Sequence, residues 1–155
     1  MSDTAFVGKL TMGTSVVADE HVKSDADIRA SKMRHLHKPG TSFGLAIAAA
    51  PTAKEEIVYV AKGAALVRNF AALLNDTGTS TSVTFDLKKN GTTILSSVIT
   101  ITHSESDKVP VVGTLASSPT ELVAGDILSI ALAQSSNTGA QGPFAWAEIE
   151  EVLGA

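Results

Sequence analysis

The stretch SVTFDLKKNGTTILSSVITI, residues 82–101, decides the fold class. Apolar and polar side chains alternate from Val83 to Leu87, which is typical of a strand with one buried face. Asn90-Gly91 then reverses the chain, because this dipeptide accepts the positive φ values of a tight hairpin turn. The residues after the turn are again rich in Ile, Leu and Val. This stretch predicts an antiparallel β-hairpin.

The chain after Ser42 continues the pattern, with short runs of Val, Ile, Thr, Leu and Phe separated by turn residues about every ten positions. In Ala124-Gly125-Asp126, Gly125 is the natural residue for a positive φ. No helical period interrupts the series, so an all-β sandwich or barrel is predicted. Strands are predicted near residues 43–49, 56–61, 64–74, 81–88, 92–102, 109–115, 127–134 and 144–152.

The beginning of the chain reads differently. Charged residues and histidines crowd into residues 19–38, and the breaker pair Pro39-Gly40 closes the segment. We therefore predict an N-terminal arm over residues 1–40 and a sandwich domain over 41–155. Within the arm, Ser24 is placed to cap a short helix with acidic residues in its first turn and basic residues in its last.

Composition narrows the function classes. The chain has no cysteine and a net charge of −4, with basic residues scattered among carboxylates. Disulfides and thiolate chemistry are excluded, and a direct nucleic-acid partner is not expected. No long apolar run or signal-peptide pattern appears, so we expect a soluble protein, with no membrane partner, made in a cytoplasm. The abundance of small, weakly polar residues favours a subunit that buries several faces.

Two predicted strands, 64–74 and 144–152, are apolar on both faces. One interpretation is a central strand covered by a loop. The other is a subunit interface, since aromatic residues are enriched at such contacts. The candidate interface residues are Phe70, Phe144 and Trp146.

The sequence shows none of the common catalytic motifs, and we predict that the protein is not an enzyme and has no cofactor. Asp126 is expected to cap its turn. His35 and His37 would share one side if this segment is extended, and His21 could complete a metal site, but no spacing fixes a third ligand. The alternative is that these histidines are solvated, and no metal site is predicted.

Two segments resemble known phage proteins. DADIRASKM, residues 25–33, resembles a phrase that recurs in tailed-phage structural and fibre proteins. VTFDLKKNGTTILSS, residues 83–97, followed by LVAGDILSIAL, residues 122–132, resembles the jelly-roll domain of bacteriophage head-decoration, cement and fibre-tip proteins.

This resemblance implies an antiparallel jelly-roll-like β-sandwich of about eight strands with an extended N-terminal arm. It also implies a virion structural protein: a homotrimeric capsid decoration or cement protein made in the host bacterium, which binds the major capsid protein on the outer surface of the head. The alternative is a receptor- or carbohydrate-binding head of a tail fibre or spike. The expected capsid contacts lie in the arm: Asp25, Asp27, Ile28, Arg29, Lys32, Met33 and Arg34.

Overall fold

A computed structural model of the protein describes residues 35–151. None of these residues forms a helix long and apolar enough to cross a membrane. The strands of this range are β1 (His35–His37), β2 (Gly40–Thr41), β3 (Lys54–Val60), β4 (Ala65–Asp76), β5 (Ser80–Lys89), β6 (Thr92–Thr93), β7 (Ile99–Thr102), β8 (Val111–Val112), β9 (Thr120–Leu122), β10 (Ile127–Thr138) and β11 (Gln141–Glu151).

The strands form two antiparallel sheets. In sheet I, β11 and β4 are central, β1 and β2 pair with the free side of β11, and β8 and β9 pair with β4. In sheet II, β10 and β5 are central, β3 pairs with β10, and β6 and β7 pair with β5.

The pairing is nested like a folded hairpin. If β1 and β2, β6 and β7, and β8 and β9 are each taken as one interrupted strand, residues 35–151 contain eight strands. The first pairs with the last, the second with the seventh, the third with the sixth and the fourth with the fifth. This is the jelly-roll arrangement, so the predicted jelly-roll-like sandwich is confirmed.

The core lies between the two sheets. Sheet II contributes alternate residues of β5 and β10, among them Phe85 and Ile130, and sheet I contributes Phe70 and Ile149; all four are fully buried. Phe43 enters from the loop before β3, with its ring centroid 6.1 Å from that of Phe85. Each such side chain stabilises the fold by roughly 1.5–3 kcal/mol through burial.

Both predicted turns are confirmed. Asn90 and Gly91 have φ values of 51° and 82°, as the hairpin between β5 and β6 requires, and Gly125 has a φ of 92° before β10.

The strand prediction was wrong at residues 43–49, which form a looped segment. Phe43 and Gly44 have φ values of 59° and 66°, which turns the backbone away from an extended path. The Leu45 N–H donates to the Ser42 carbonyl at 3.0 Å, as in a tight turn. The apolar residues that resemble a strand here belong to a loop lying beside β11.

Two other predicted strands are shorter in the structure, and three short strands were not predicted. The segment predicted at 92–102 is divided into β6 and β7, and that at 109–115 retains only β8. The short strands β1, β2 and β9 were not predicted. Sheet I begins at His35, inside the segment assigned to the arm, because β1 pairs with β11 through the register of His35 with Glu151.

Candidate functional site

The outer face of sheet I carries the two aromatic residues of the last strand. Phe144 and Trp146 have ring centroids 5.8 Å apart and planes tilted by 32°. Phe144 is 38% exposed and Trp146 is half-buried. Leu73 lies opposite Phe144, and Ala71 lies opposite Trp146, across the β4–β11 pair. Since directly opposed side chains point to the same side of a sheet, the four residues form one apolar cluster.

Two further residues extend this cluster. Val112 on β8 lies opposite Ala71 and is 62% exposed. Ile47, in the loop before β3, is 72% exposed and lines, with Leu45, an open groove of about 660 Å³ beside β11. Contiguous exposed apolar surface of this kind marks interaction sites. We call the following six residues, of which Ala71 is buried, the apolar face: Ile47, Ala71, Leu73, Val112, Phe144 and Trp146.

Gly40 provides the space for the aromatic pair at the sheet edge. It lies opposite Trp146 in the β2–β11 pair. A Cβ atom at this position would lie 3.0 Å from Phe144 Cζ, 3.0 Å from Trp146 Cβ and 2.9 Å from the Ala145 carbonyl oxygen. These distances are shorter than ordinary carbon contacts, so a side chain at residue 40 would displace the rings.

Two ion pairs border the apolar face on the same sheet. Lys38 Nζ lies 2.8 Å from Glu148 Oε1, and Arg68 Nε lies 2.7 Å from Glu150 Oε2. Exposed pairs of this kind stabilise by only about 0–1 kcal/mol each. Their charges cancel, so they add no net charge to this side of the molecule.

The outer face of sheet II carries polar pairs beside the exposed apolar residues Ile57, Val60 and Ile127. Glu55 accepts hydrogen bonds from Lys88 at 2.8 Å and from Ser129 at 2.6 Å, and Thr93 donates to Asp86 at 2.6 Å. The bonds from Lys88 and Ser129 lower the pKa of Glu55. The two sides of the sandwich therefore differ in their aromatic residues, because the pair of Phe144 and Trp146 lies on the outer face of sheet I.

Of the three predicted interface residues, Phe144 and Trp146 lie on the apolar face and Phe70 does not. Phe70 is fully buried in the core, where it cannot contact another subunit. The reason is a register shift: Asn69 pairs with Glu148, but the next paired residue along β4 is Val67, so Arg68 is unopposed. The extra residue reverses the alternation and turns Phe70 inward.

A second cluster lies at the edge of sheet I. His35 and His37 lie opposite Glu151 and Ile149 in the β1–β11 pair, so both imidazoles point to the side of Glu151. His35, His37 and Glu151 each have one potential metal-ligating atom, an imidazole nitrogen or a carboxylate oxygen, and these three atoms lie within 4.8 Å of one another. The sequence predicted that His35 and His37 share one side if this segment is extended. It did not predict Glu151 as their neighbour, because only strand pairing brings Glu151 to this edge.

Tyr59 orients the carboxylate of this cluster. Its hydroxyl donates to Glu151 Oε1 at 2.8 Å, while Glu151 Oε2 lies 3.3 Å from His37 Nε2. The Tyr59 hydrogen bond is the main cause that lowers the pKa of Glu151, with a further contribution from His37. Burial, together with the same carboxylate, raises the pKa of Tyr59 to about 12. Tyr59 therefore remains a hydrogen-bond donor at neutral pH.

Asp126 caps its turn, as predicted. Its Oδ2 accepts from the Val123 N–H at 2.8 Å and lies 2.9 Å from Lys89 Nζ, and its Oδ1 accepts from Asn90 Nδ2 at 2.7 Å. The bond from Val123, followed by those from Lys89 and Asn90, lowers the pKa of Asp126 to about 2. These contacts join the two turns at one end of sheet II.

The predicted capsid contacts, from Asp25 to Arg34, and the candidate ligand His21 lie outside the described residues. The same is true of the short helix predicted after Ser24.

The described residues form a jelly-roll β-sandwich with an aromatic and apolar cluster on the outer face of sheet I. No family model and no curated protein matches the chain.

Proposed function

We propose that this protein is a virion structural protein, a capsid decoration or cement protein that self-associates through the apolar face and binds the outer surface of a phage head. The single observation that supports self-association most strongly is the apolar cluster around the aromatic pair of Phe144 and Trp146 on the outer face of sheet I. The assignment to a phage head, and to a trimer, rests on the sequence resemblance.

A second copy of the chain is the occupant that best fits the apolar face. The whole outer face of sheet I, of which the apolar face is one part, is four strands wide and up to twelve residues long, which corresponds to about 19 by 40 Å. That area is close to the about 800 Å² that each partner buries in a standard protein interface. The ion pairs Lys38–Glu148 and Arg68–Glu150 balance their charges, so identical faces can meet without repulsion.

The arm would supply the capsid contacts. The described chain starts at His35 on the edge of sheet I, opposite Glu151 at the end of β11, so residues 1–34 join the sandwich at this edge. In the proposed assembly, several arms extend from one oligomer, and each binds the capsid lattice weakly. Linked weak contacts bind far more tightly than single ones, which would let the oligomer bridge neighbouring capsomers and reinforce the shell without any chemical step.

The test is binding to undecorated shells assembled from the major capsid protein of the same phage. The purified chain should sediment with these shells, saturate at a fixed ratio, and appear in images as discrete protrusions at symmetry-related positions. A protein that remains in the supernatant at micromolar concentration would contradict the proposal.

The alternative is a receptor- or carbohydrate-binding head, and the exposed pair of Phe144 and Trp146 is the observation that favours it. Aromatic faces beside an open groove can stack on sugar rings, and the groove next to Phe144 also presents the polar side chains of Asn75 and Lys108. Binding to a glycan array that is lost in Trp146→Ala, combined with no binding to shells, would select this alternative.

A further inference from the structure

The cluster at the edge of sheet I has the composition of a transition-metal site. Two imidazoles and one carboxylate are provided by two paired strands, with His35 and His37 on β1 and Glu151 on β11. Imidazole and carboxylate together are ligands that Zn²⁺ accepts, and three protein ligands leave a fourth position for water or another group.

The distances suit a tetrahedral ion. With bonds of about 2.0–2.1 Å, two ligand atoms of a tetrahedral zinc site lie about 3.3 Å apart. His37 Nε2 and Glu151 Oε2 are 3.3 Å apart, and the donor atoms of all three residues lie within 4.8 Å of one another. The His35 side chain is exposed and is not held by core packing, so it can rotate towards the other two ligands.

The surroundings of Glu151 match those of a metal ligand. Tyr59 donates to Oε1, which leaves Oε2 facing the histidines. Hydrogen bonds to the second atom of a ligand are the usual means by which proteins orient metal ligands. Because Tyr59 lies on β3 of sheet II, this bond also links the cluster to the second sheet.

We propose that His35, His37 and Glu151 bind one Zn²⁺ ion per chain. The ion would fasten the three-residue strand β1 to β11 at the point where residues 1–34 join the sandwich. This site is independent of the apolar face and of the proposed decoration function.

The test uses the full chain without a polyhistidine tag, titrated with Zn²⁺ by calorimetry at neutral pH. We expect one ion per chain and a dissociation constant in the micromolar range or below. His37→Ala should weaken binding about 100-fold or more, and Tyr59→Phe by about 10-fold, as expected for loss of a ligand and of its hydrogen-bond partner. His103→Ala is the matched control, because this exposed histidine follows β7 and is not part of the cluster.

Thermal unfolding provides a second readout. Zn²⁺ should raise the midpoint of the wild type and of His103→Ala, since a ligand that binds only the folded state stabilises it, and it should leave that of His37→Ala unchanged. Circular dichroism without metal checks that His37→Ala is folded. Absence of binding to the wild type, equal binding by His37→Ala, or a ratio of one ion to three chains would overturn the proposed site.

Discussion

Gly40 and Trp146 face each other across the β2–β11 pair, and a Cβ atom on Gly40 would lie 3.0 Å from the Trp146 Cβ. The edge strand therefore approaches β11 and the base of the Trp146 side chain this closely only because residue 40 has no side chain. This relationship couples the aromatic part of the apolar face to the segment that leads in from the N-terminus.

The first prediction is that Gly40→Val displaces the Trp146 ring. Trp146 is the sole tryptophan of the chain, so its fluorescence reports its own environment. We expect emission at longer wavelength and weaker self-association, because the ring loses its packing against the edge strand. Gly63→Val is the matched control, since a Cβ there meets nothing within 4 Å. Identical spectra for the two variants would contradict the prediction.

Replacing Phe70 or Phe144 by alanine should affect stability and self-association differently. Phe70→Ala leaves a cavity in the core and should lower the free energy of unfolding by about 3–5 kcal/mol. Phe144→Ala removes a 38% exposed ring and should act mainly through self-association. Its effect on the thermal midpoint should therefore vary with protein concentration, which urea and thermal unfolding at two concentrations will measure. The prediction is contradicted if the effect of Phe70→Ala varies with protein concentration and that of Phe144→Ala does not. Phe70 would then be a residue of the subunit interface.

Because of Asp126, the free energy of unfolding should fall as the pH is lowered from about 4 to 2. Its pKa is about 2 in the folded protein, below the ordinary value of 3.8, because hydrogen bonds from Val123, Lys89 and Asn90 favour the charged form. The stability it contributes is therefore present above about pH 4 and is lost as the pH falls towards 2. Asp126→Asn should be less stable than the wild type at pH 7, and the difference should shrink between pH 4 and pH 2. A constant difference across this range would show that the carboxylate charge is not the cause.

Deletion of residues 1–34 tests the role of the arm. This deletion retains β1, which pairs with β11, so the truncated chain should remain folded and self-associated. It should no longer sediment with shells, because the predicted capsid contacts are removed. Deletion of residues 1–20 is the control that retains Asp25 to Arg34, and it should still bind. Full binding by the longer deletion would show that the sandwich itself contacts the capsid.

Local signals explain which parts of the fold could be predicted. Asn90-Gly91 and Gly125 mark turns through their own backbone preferences, and the alternation of β5 follows directly from one buried face. The loop around Phe43 could not be predicted in this way, because its apolar residues satisfy the same pattern as a strand. The inward position of Phe70 depends on the unopposed Arg68, which is set by pairing with a strand far away in sequence.

Strand pairing also limits how much of the apolar face and of the His35–His37–Glu151 cluster could be predicted. Phe144 and Trp146 could be selected as aromatic residues of a strand that is apolar on both faces. Val112 and Glu151 could not, because each joins its cluster only through strand pairing.

The most direct test of the central claim, self-association through the apolar face, is the molar mass of the chain by light scattering as a function of concentration. We expect a defined oligomer for the wild type. The resemblance to phage decoration proteins implies that this oligomer is a trimer. Phe144→Ser and Trp146→Ser should shift it towards monomer, each raising the dissociation constant about 30-fold or more, as loss of about 2 kcal/mol at an aromatic hot spot implies. Ile57→Ser, which alters a 65% exposed apolar residue on the edge strand β3 of sheet II, should keep the wild-type mass. A monomeric wild type, or an unchanged oligomer in both aromatic variants while circular dichroism shows them folded, would contradict the claim.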